Sequence, residues 1–297
     1  MIKKSIITAI SLFTIYTVFT LWFAPKWWNA GQNQWHSNLS KAQNFMYDDT
    51  SCIEKVIVGS SLSCRIVNDS LPSITNFAFS GQSIFDGLNI ISKKSVTPKV
   101  IFVEMNVVLR PEMPDFTSTL NSPILFYPRK TLPSLRFDKQ PLAILGKQLN
   151  YYVMSKIFYR PHAIQPVKKQ TEKMSSEITN NLFSSMLDLQ IKKYSIPPTE
   201  QLITEAFIRL KEYTDLLEKK GSKFVFFEMP VNDNLNYLPQ AISVREAFYR
   251  YYPKSKYQYI PLPKFMQCKT TDGAHLTHSE AITYTNYFKT KLNNLAL

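Results

Sequence analysis

The chain has 297 residues, 44% of them hydrophobic, and a formal net charge of +13. That is enough apolar material for one sizeable domain with a tail or an insertion to spare, which excludes a disordered or fibrous chain. Three cysteines, Cys52, Cys64 and Cys268, are too few for a small disulfide-stapled scaffold and have no metal-site spacing.

In chain order, Lys3-Lys4 precede Ser5 to Ala24, twenty residues without a charge, which is the length that crosses a bilayer core. Trp22, Trp27 and Trp28 gather at its far end, where interfacial aromatic side chains collect. A cleaved signal peptide competes with this reading. The apolar run, however, exceeds the usual ~7–15 residues, and Trp27-Trp28-Asn29 is a poor cleavage setting. Residues 1–24 are therefore expected to be an uncleaved transmembrane anchor. The lysines before the span, against Lys26 alone close behind it, put the N-terminus in the cytoplasm. The expectation is a single-pass inner-membrane protein with its domain in the periplasm or outside the cell. Residues 25–50 are polar, lack a clear period and read as a juxtamembrane connector.

Residues 51–297 read as one α/β domain. Val56-Ile57-Val58 is a short apolar run ending in Gly59-Ser60-Ser61, as a buried strand does at a tight turn. Ile74 to Phe79 ends in Ser80-Gly81-Gln82-Ser83 before a helical pattern of Ile84, Phe85, Leu88 and Ile91. Val100 to Val103 leads to Glu104-Met105-Asn106. A helix capped by Thr199, with Leu202, Ile203, Ala206, Phe207, Leu210, Tyr213 and Leu217 on its apolar face, stops before Gly221. Phe224 to Phe227 is the fourth strand, a helix covers about 239–252, and Tyr257 to Ile260 is the fifth. Short apolar strands alternating with helices predict a three-layer α/β sandwich with a mostly parallel central sheet.

About 109–198 is too long for one crossover and reads as an insertion or cap. Between Arg129 and Lys173 it carries ten basic residues against two acidic ones. This is a solvated basic face, or a surface for anionic lipid headgroups or an acidic polymer. No nucleic-acid motif is visible, and no nucleic-acid partner is expected. In an oxidising compartment one cysteine pair can close. If the loop holding Cys268 folds over the start of the first helix after the anchor, Cys64 is its partner, with Cys52 the alternative.

The chemistry gathers where strands end, since open α/β sheets collect functional groups at that edge. Thr277 with Glu280 predicts a capping box for the last helix, so Asp272 and His275 sit on the loop before it. An acid three residues ahead of a histidine can orient the imidazole and stabilise its charged form, with Gly273 turning the backbone between them. Ser61 is the candidate nucleophile, with Ser60 competing. His278 competes with His275 but lacks an acid three residues before it. Gly81 and Asn106 stand at the ends of the second and third strands. Glu104 reads as a carboxylate hydrogen-bonded at a strand end. No metal or cofactor is expected.

Over most of residues 53–106 and 199–290 the order and placement of these clusters resemble the SGNH, or GDSL-like, hydrolase superfamily. The resemblance implies Ser61 as nucleophile, His275 as base, Asp272 as its acid, and Gly81 and Asn106 as oxyanion-hole residues. Two blocks depart from the pattern: Ser60 precedes the serine where GDSL enzymes have aspartate, and Glu104-Met105-Asn106-Val107 lacks the glycine and aspartate of GxND. A Gly-Ser-Ser block behind an anchor resembles the membrane-attached proteins of alginate O-acetylation and D-alanyl-lipoteichoic acid transfer. That implies a serine O-acyltransferase, acetyl being the expected group, acting on an envelope or exported polysaccharide. A multi-span membrane O-acyltransferase would be its acyl-donor partner. A membrane-anchored carbohydrate esterase or deacetylase, and a non-catalytic partner of such an acyltransferase, are the alternatives.

Overall fold

The computed structural model describes residues 2–22, 34–47, 53–139, 168–263, 268–293 and 295. Ala24, Lys26, Trp27, Trp28, Asn29 and Cys52 of the expectations above, and Lys147, Lys156 and Arg160 among the ten basic residues counted there, lie outside them. In chain order the elements are α1 (Ile2–Trp22), α2 (Gln34–Tyr47), β1 (Lys55–Val58), β2 (Thr75–Asn76), α3 (Ile84–Ser92), β3 (Val100–Glu104), α4 (Pro114–Leu120) and α5 (Pro123–Thr131). There follow α6 (Lys168–Tyr194), α7 (Glu200–Lys219), β4 (Lys223–Phe227), α8 (Asp233–Asn236), α9 (Pro239–Tyr251), β5 (Gln258–Ile260) and α10 (His278–Leu292). They form two compact units, Met1–Asp48 with Asp115–Gln165, and Asp49–Pro114 with Pro166–Leu297.

The larger unit is the expected α/β sandwich. Its five strands are all parallel in the order β2-β1-β3-β4-β5. The interior strands are buried on both faces, which is why they read as unbroken apolar runs. Alternate residues face opposite layers. Phe102 and Phe227 meet Phe288 of α10 at ring-centroid distances of 5.7 and 5.2 Å. Phe226 meets Phe248 of α9 at 5.3 Å on the other side, where Phe207 of α7 also packs on Phe248. On that side α3 lies so close to β1 that a Cβ on Gly87 would come within 2.8 Å of Val58.

The local signals hold at both ends of α7. Thr199 caps α7 by accepting the Leu202 N–H (3.2 Å), and Gly221 follows α7 with φ +92°. Thr277 precedes α10 in extended backbone, but its hydroxyl meets that of Ser279 instead of a helix N–H, so the expected capping box is absent. The second strand is shorter than its apolar run. Only Thr75–Asn76 pairs as strand, although the N–H groups of Phe77 and Phe79 still donate to Ile57 and Gly59 carbonyls. The Cys64 thiol donates to the Ala78 carbonyl (3.3 Å) and is not bonded to Cys268, correcting that expected pairing. Burial pushes the Cys268 thiol up to about 12.

The capping box at α3 was not anticipated. The Ser83 hydroxyl accepts the Phe85 N–H, and Asp86 accepts the N–H groups of Ser83 (2.9 Å) and Met113 (2.8 Å). Burial pushes the Asp86 carboxyl up to about 6, against the pull of those two N–H groups. Because its value is raised on folding, the group's stabilisation is complete below the ordinary aspartate range and is lost as pH rises through about 6. A carbon-13 NMR titration of the Asp86 carboxyl is expected to show its midpoint near 6; a midpoint in the ordinary range overturns this.

In the smaller unit, α1 is the apolar N-terminal helix, with an 18-residue window from Ile2 to Phe19 apolar enough to cross a membrane. The segment expected as a connector contains α2. Its pattern escapes a periodicity search because it buries Asn38, Ser40 and Gln43 beside Leu39, Ala42 and Phe45. Trp35 packs edge-on against Phe116 of α4, and Tyr47 against Phe126 of α5, both at 5.5 Å.

Candidate active site

The sheet order reverses at β1, and β1 and β3 end side by side there. This is the crevice where open α/β sheets place ligands. After β1 the chain turns through Gly59-Ser60-Ser61-Leu62-Ser63, and one buried carboxylate holds the turn from behind. Glu104, at the end of β3 and fully buried, accepts the Ser60 N–H (2.8 Å) and hydroxyl (2.9 Å), and the Ser63 N–H (3.2 Å) and hydroxyl (2.5 Å). Gly59 makes room for this, since a Cβ there would lie 2.6 Å from the carboxylate and 2.5 Å from the Ser63 hydroxyl. Ser60 is thereby turned inward, with its hydroxyl on Glu104.

Ser61 faces the other way. Its Oγ lies 2.8 Å from His275 Nε2, and His275 Nδ1 lies 2.7 Å from Asp272 Oδ2. The second oxygen of Asp272 accepts the N–H groups of Ala274 (3.0 Å) and His275 (2.8 Å). Burial pushes this carboxyl up, but the His275 N–H, the imidazole and the Ala274 N–H outweigh it and hold the group below its ordinary value. An ionised carboxylate at Nδ1 selects the tautomer with its proton there, leaving Nε2 to accept from Ser61. Gly273 turns the loop at φ +89°, donates to Thr270 Oγ1 (3.1 Å) and accepts the Asn232 N–H through its carbonyl (2.8 Å).

These groups open on a cleft of about 630 Å³. Ser61, His275 and Asn106 line it, with Asp272 behind the imidazole. Asn106 is tied to Met229: its amide nitrogen donates to the Met229 carbonyl (2.9 Å) and its oxygen accepts the Met229 N–H (2.7 Å). The amide's second N–H is taken by no described residue. Gly81 sits at an exposed turn with φ +75° and does not line the cleft. His278 is the first residue of α10 and does not line it either.

Sequence reasoning missed one wall. The end of α6 and the turn after it, with Gln190, Lys193, Tyr194 and Ile196, line the cleft. A Cβ on Gly273 would meet Leu187 of α6 at 2.8 Å, so this helix, read as part of an insertion, packs directly on the Asp272–His275 loop. Nothing local to 187–198 announces that contact. Arg110 and Lys193 are cations of the cleft lining, and no carboxylate is among its described residues. Arg110 also ties the ends of β2 and β3 together by donating to the Gln82 carbonyl (2.9 Å), while its own carbonyl accepts from Ser83 Oγ (2.7 Å).

No protein-family model matches the chain, and no curated protein matches it. Among solved structures the chain is similar to one described as "a putative platelet activating factor from Streptococcus pneumonia", with 10% identity, a TM-score of 0.44, and coverage of 96% of this chain and 98% of that one.

Proposed function

We propose that this chain is an extracytoplasmic serine O-acyltransferase of SGNH type, held at the membrane by α1. It moves acetyl or a similar small acyl group onto a hydroxyl of an acidic envelope polysaccharide. The observation that carries the reading is the continuous hydrogen-bonded line from Ser61 Oγ through His275 to Asp272, at 2.8 and 2.7 Å.

A serine hydroxyl is a weak nucleophile near neutral pH and needs a base within hydrogen-bond reach. His275 Nε2 takes the proton as Ser61 Oγ bonds to the acyl carbon. The imidazolium that forms is stabilised by Asp272. Collapse of the tetrahedral intermediate breaks the bond to the donor's oxygen, which leaves with the proton from His275. An acceptor hydroxyl then gives its proton to His275, attacks the acyl-serine and frees Ser61. The Ser61 N–H and the spare N–H of Asn106 are the proposed donors to the oxyanion, and Gly81, which lies outside the cleft, is not among them. Losing one such donor costs ~2.7–4 kcal/mol of transition-state stabilisation. Arg110 and Lys193 favour an acidic acceptor. The partly exposed His275 side chain (26%) favours a second reading, in which water takes the acyl group and the chain is an esterase.

The test uses the full chain in detergent, because truncation inside α2 would cut a packed helix. Treated with a fluorophosphonate and digested for mass spectrometry, the protein is expected to carry the adduct on Ser61, and the adduct is expected to vanish in His275→Ala. A folded protein that labels nowhere, or labels equally without His275, sinks the proposal. Acetyl transfer from p-nitrophenyl acetate to acidic rather than neutral oligosaccharides then separates transferase from esterase.

A further inference from the structure

The smaller unit buries a set of hydrogen-bond donors that no described residue satisfies. On one face of α2, Ser40, Gln43 and Tyr47 are 8%, 0% and 6% exposed. The two hydroxyls and the amide nitrogen make no hydrogen bond of ordinary geometry with any described residue. Gln43 makes its hydrogen bond of ordinary geometry through its oxygen, which accepts the Phe137 N–H (2.9 Å).

Two arginines face the same place. Arg129, only 7% exposed, stacks its guanidinium 4.4 Å from the Phe137 ring centre, and Arg136 lies 5.2 Å from that of Tyr47. Both act electrostatically on the Tyr47 hydroxyl. Arg129 makes one long bond, to the Thr119 carbonyl (3.4 Å), and Arg136 donates to the carbonyls of Arg129 (3.2 Å) and Lys130 (3.5 Å). Among the described side chains, which do not include that of Asp138, no carboxylate is ion-paired with either arginine. A buried guanidinium with no described counter-charge, beside orphaned donors, is costly unless an anion completes the site.

The position of this cluster says where such an anion comes from. Thr17 of α1 donates to the Ser134 hydroxyl (3.1 Å), and the Tyr16 hydroxyl donates to the Lys139 carbonyl. Ser134 and Lys139 bracket Arg136 and Phe137 in sequence. Tyr16 and Thr17 lie three and two residues before the end of the membrane-spanning window at Phe19. At 1.5 Å per residue that is about 3–5 Å inside its end, next to the headgroup layer. Beside the arginines, α5 turns Ile124 (82% exposed) and Tyr127 (71% exposed) outward, apolar surface that lipid would cover.

We propose that α2 and residues 126–139 form a phosphate site, filled by the headgroup of an anionic phospholipid. Two guanidiniums, two hydroxyls and an amide N–H are a donor set suited to a tetrahedral oxyanion. The lipid source rests on the reading of α1 as the anchor; the phosphate site does not, and neither depends on the chemistry at Ser61.

The test is native mass spectrometry of the full chain in dodecyl maltoside, titrated with phosphatidylglycerol or with diacylglycerol of the same acyl chains. Phosphatidylglycerol is expected to be retained about tenfold more tightly, with most of that preference lost in Arg129→Gln and a smaller part in Tyr47→Phe. In parallel, inorganic phosphate is added and the melting midpoint followed. A rise that needs Arg129, without lipid preference, keeps the site and overturns the lipid assignment. Parent protein that responds to neither, or variants that respond like the parent, overturn the site. If Arg129→Gln does not fold, Tyr47→Phe, which keeps its ring on Phe126, decides. Carbonate extraction of native membranes reports on α1 separately: a chain released by it has lost its anchor reading, whatever the phosphate arm shows.

Discussion

Ser61→Ala and His275→Ala are each expected to lower turnover of an activated acetyl ester by on the order of 10⁴ to 10⁶-fold, while leaving its KM within a few-fold of the parent. The size follows from geometry. Ser61 Oγ has one basic neighbour, His275 Nε2 at 2.8 Å, and the buried Ser60 hydroxyl is committed to Glu104, so it cannot substitute. Removing either member leaves only binding and oxyanion stabilisation, and the double variant is expected to be no worse than the single ones. Asp272→Asn falls by on the order of 10⁴-fold, because an amide at Nδ1 no longer selects the productive tautomer. Steady-state kinetics on purified variants check all three. Activity in Ser61→Ala above a tenth of the parent would remove Ser61 from the mechanism.

Glu104→Ala destabilises the α/β unit by about 2–6 kcal/mol. Four donors converge on this carboxylate. The two hydroxyls can rotate to other acceptors, but the N–H groups of Ser60 and Ser63, both residues fully buried, are fixed by the turn, and each costs about 1–3 kcal/mol when orphaned. The same loss frees the turn that presents Ser61, so the rate of fluorophosphonate labelling falls in protein that remains folded. Glu104→Gln, which keeps the volume and one acceptor oxygen, is expected to lie between the two. Urea unfolding followed by circular dichroism gives the stability, and labelling under native conditions gives the rate. A Glu104→Ala protein within 1 kcal/mol of the parent, labelling at the parental rate, would show that the turn stands without its carboxylate.

Much of the site was legible because it is written locally. An apolar run that stops at Gly59-Ser60-Ser61 marks a strand ending in a turn, and Asp272 spaced three from His275 can form its own hydrogen bonds whatever the rest of the chain does. Glu104 carried a weaker sign, a carboxylate ending a strand buried along its whole length. The wall made by α6 carried none, since Leu187 and Gly273 are matched in shape only after both helix and loop are in place. Likewise α2 escaped because its buried face is built of polar residues, which amphipathic periodicity cannot see.

The sequence by itself therefore determined the strands, half of the described helices (α1, α3, α7, α9 and α10) and the acid–base loop, since each depends on neighbours within a few residues and on side-chain period. Which serine meets the histidine was decided only by the tertiary structure. Ser61 and His275 are 214 residues apart, and their 2.8 Å contact exists because β1 sits inside the sheet next to β3, while Glu104 on β3 pulls Ser60 inward and leaves Ser61 facing the cleft. Distances across a sheet are set by strand order and core packing, and no local pattern in the chain encodes either.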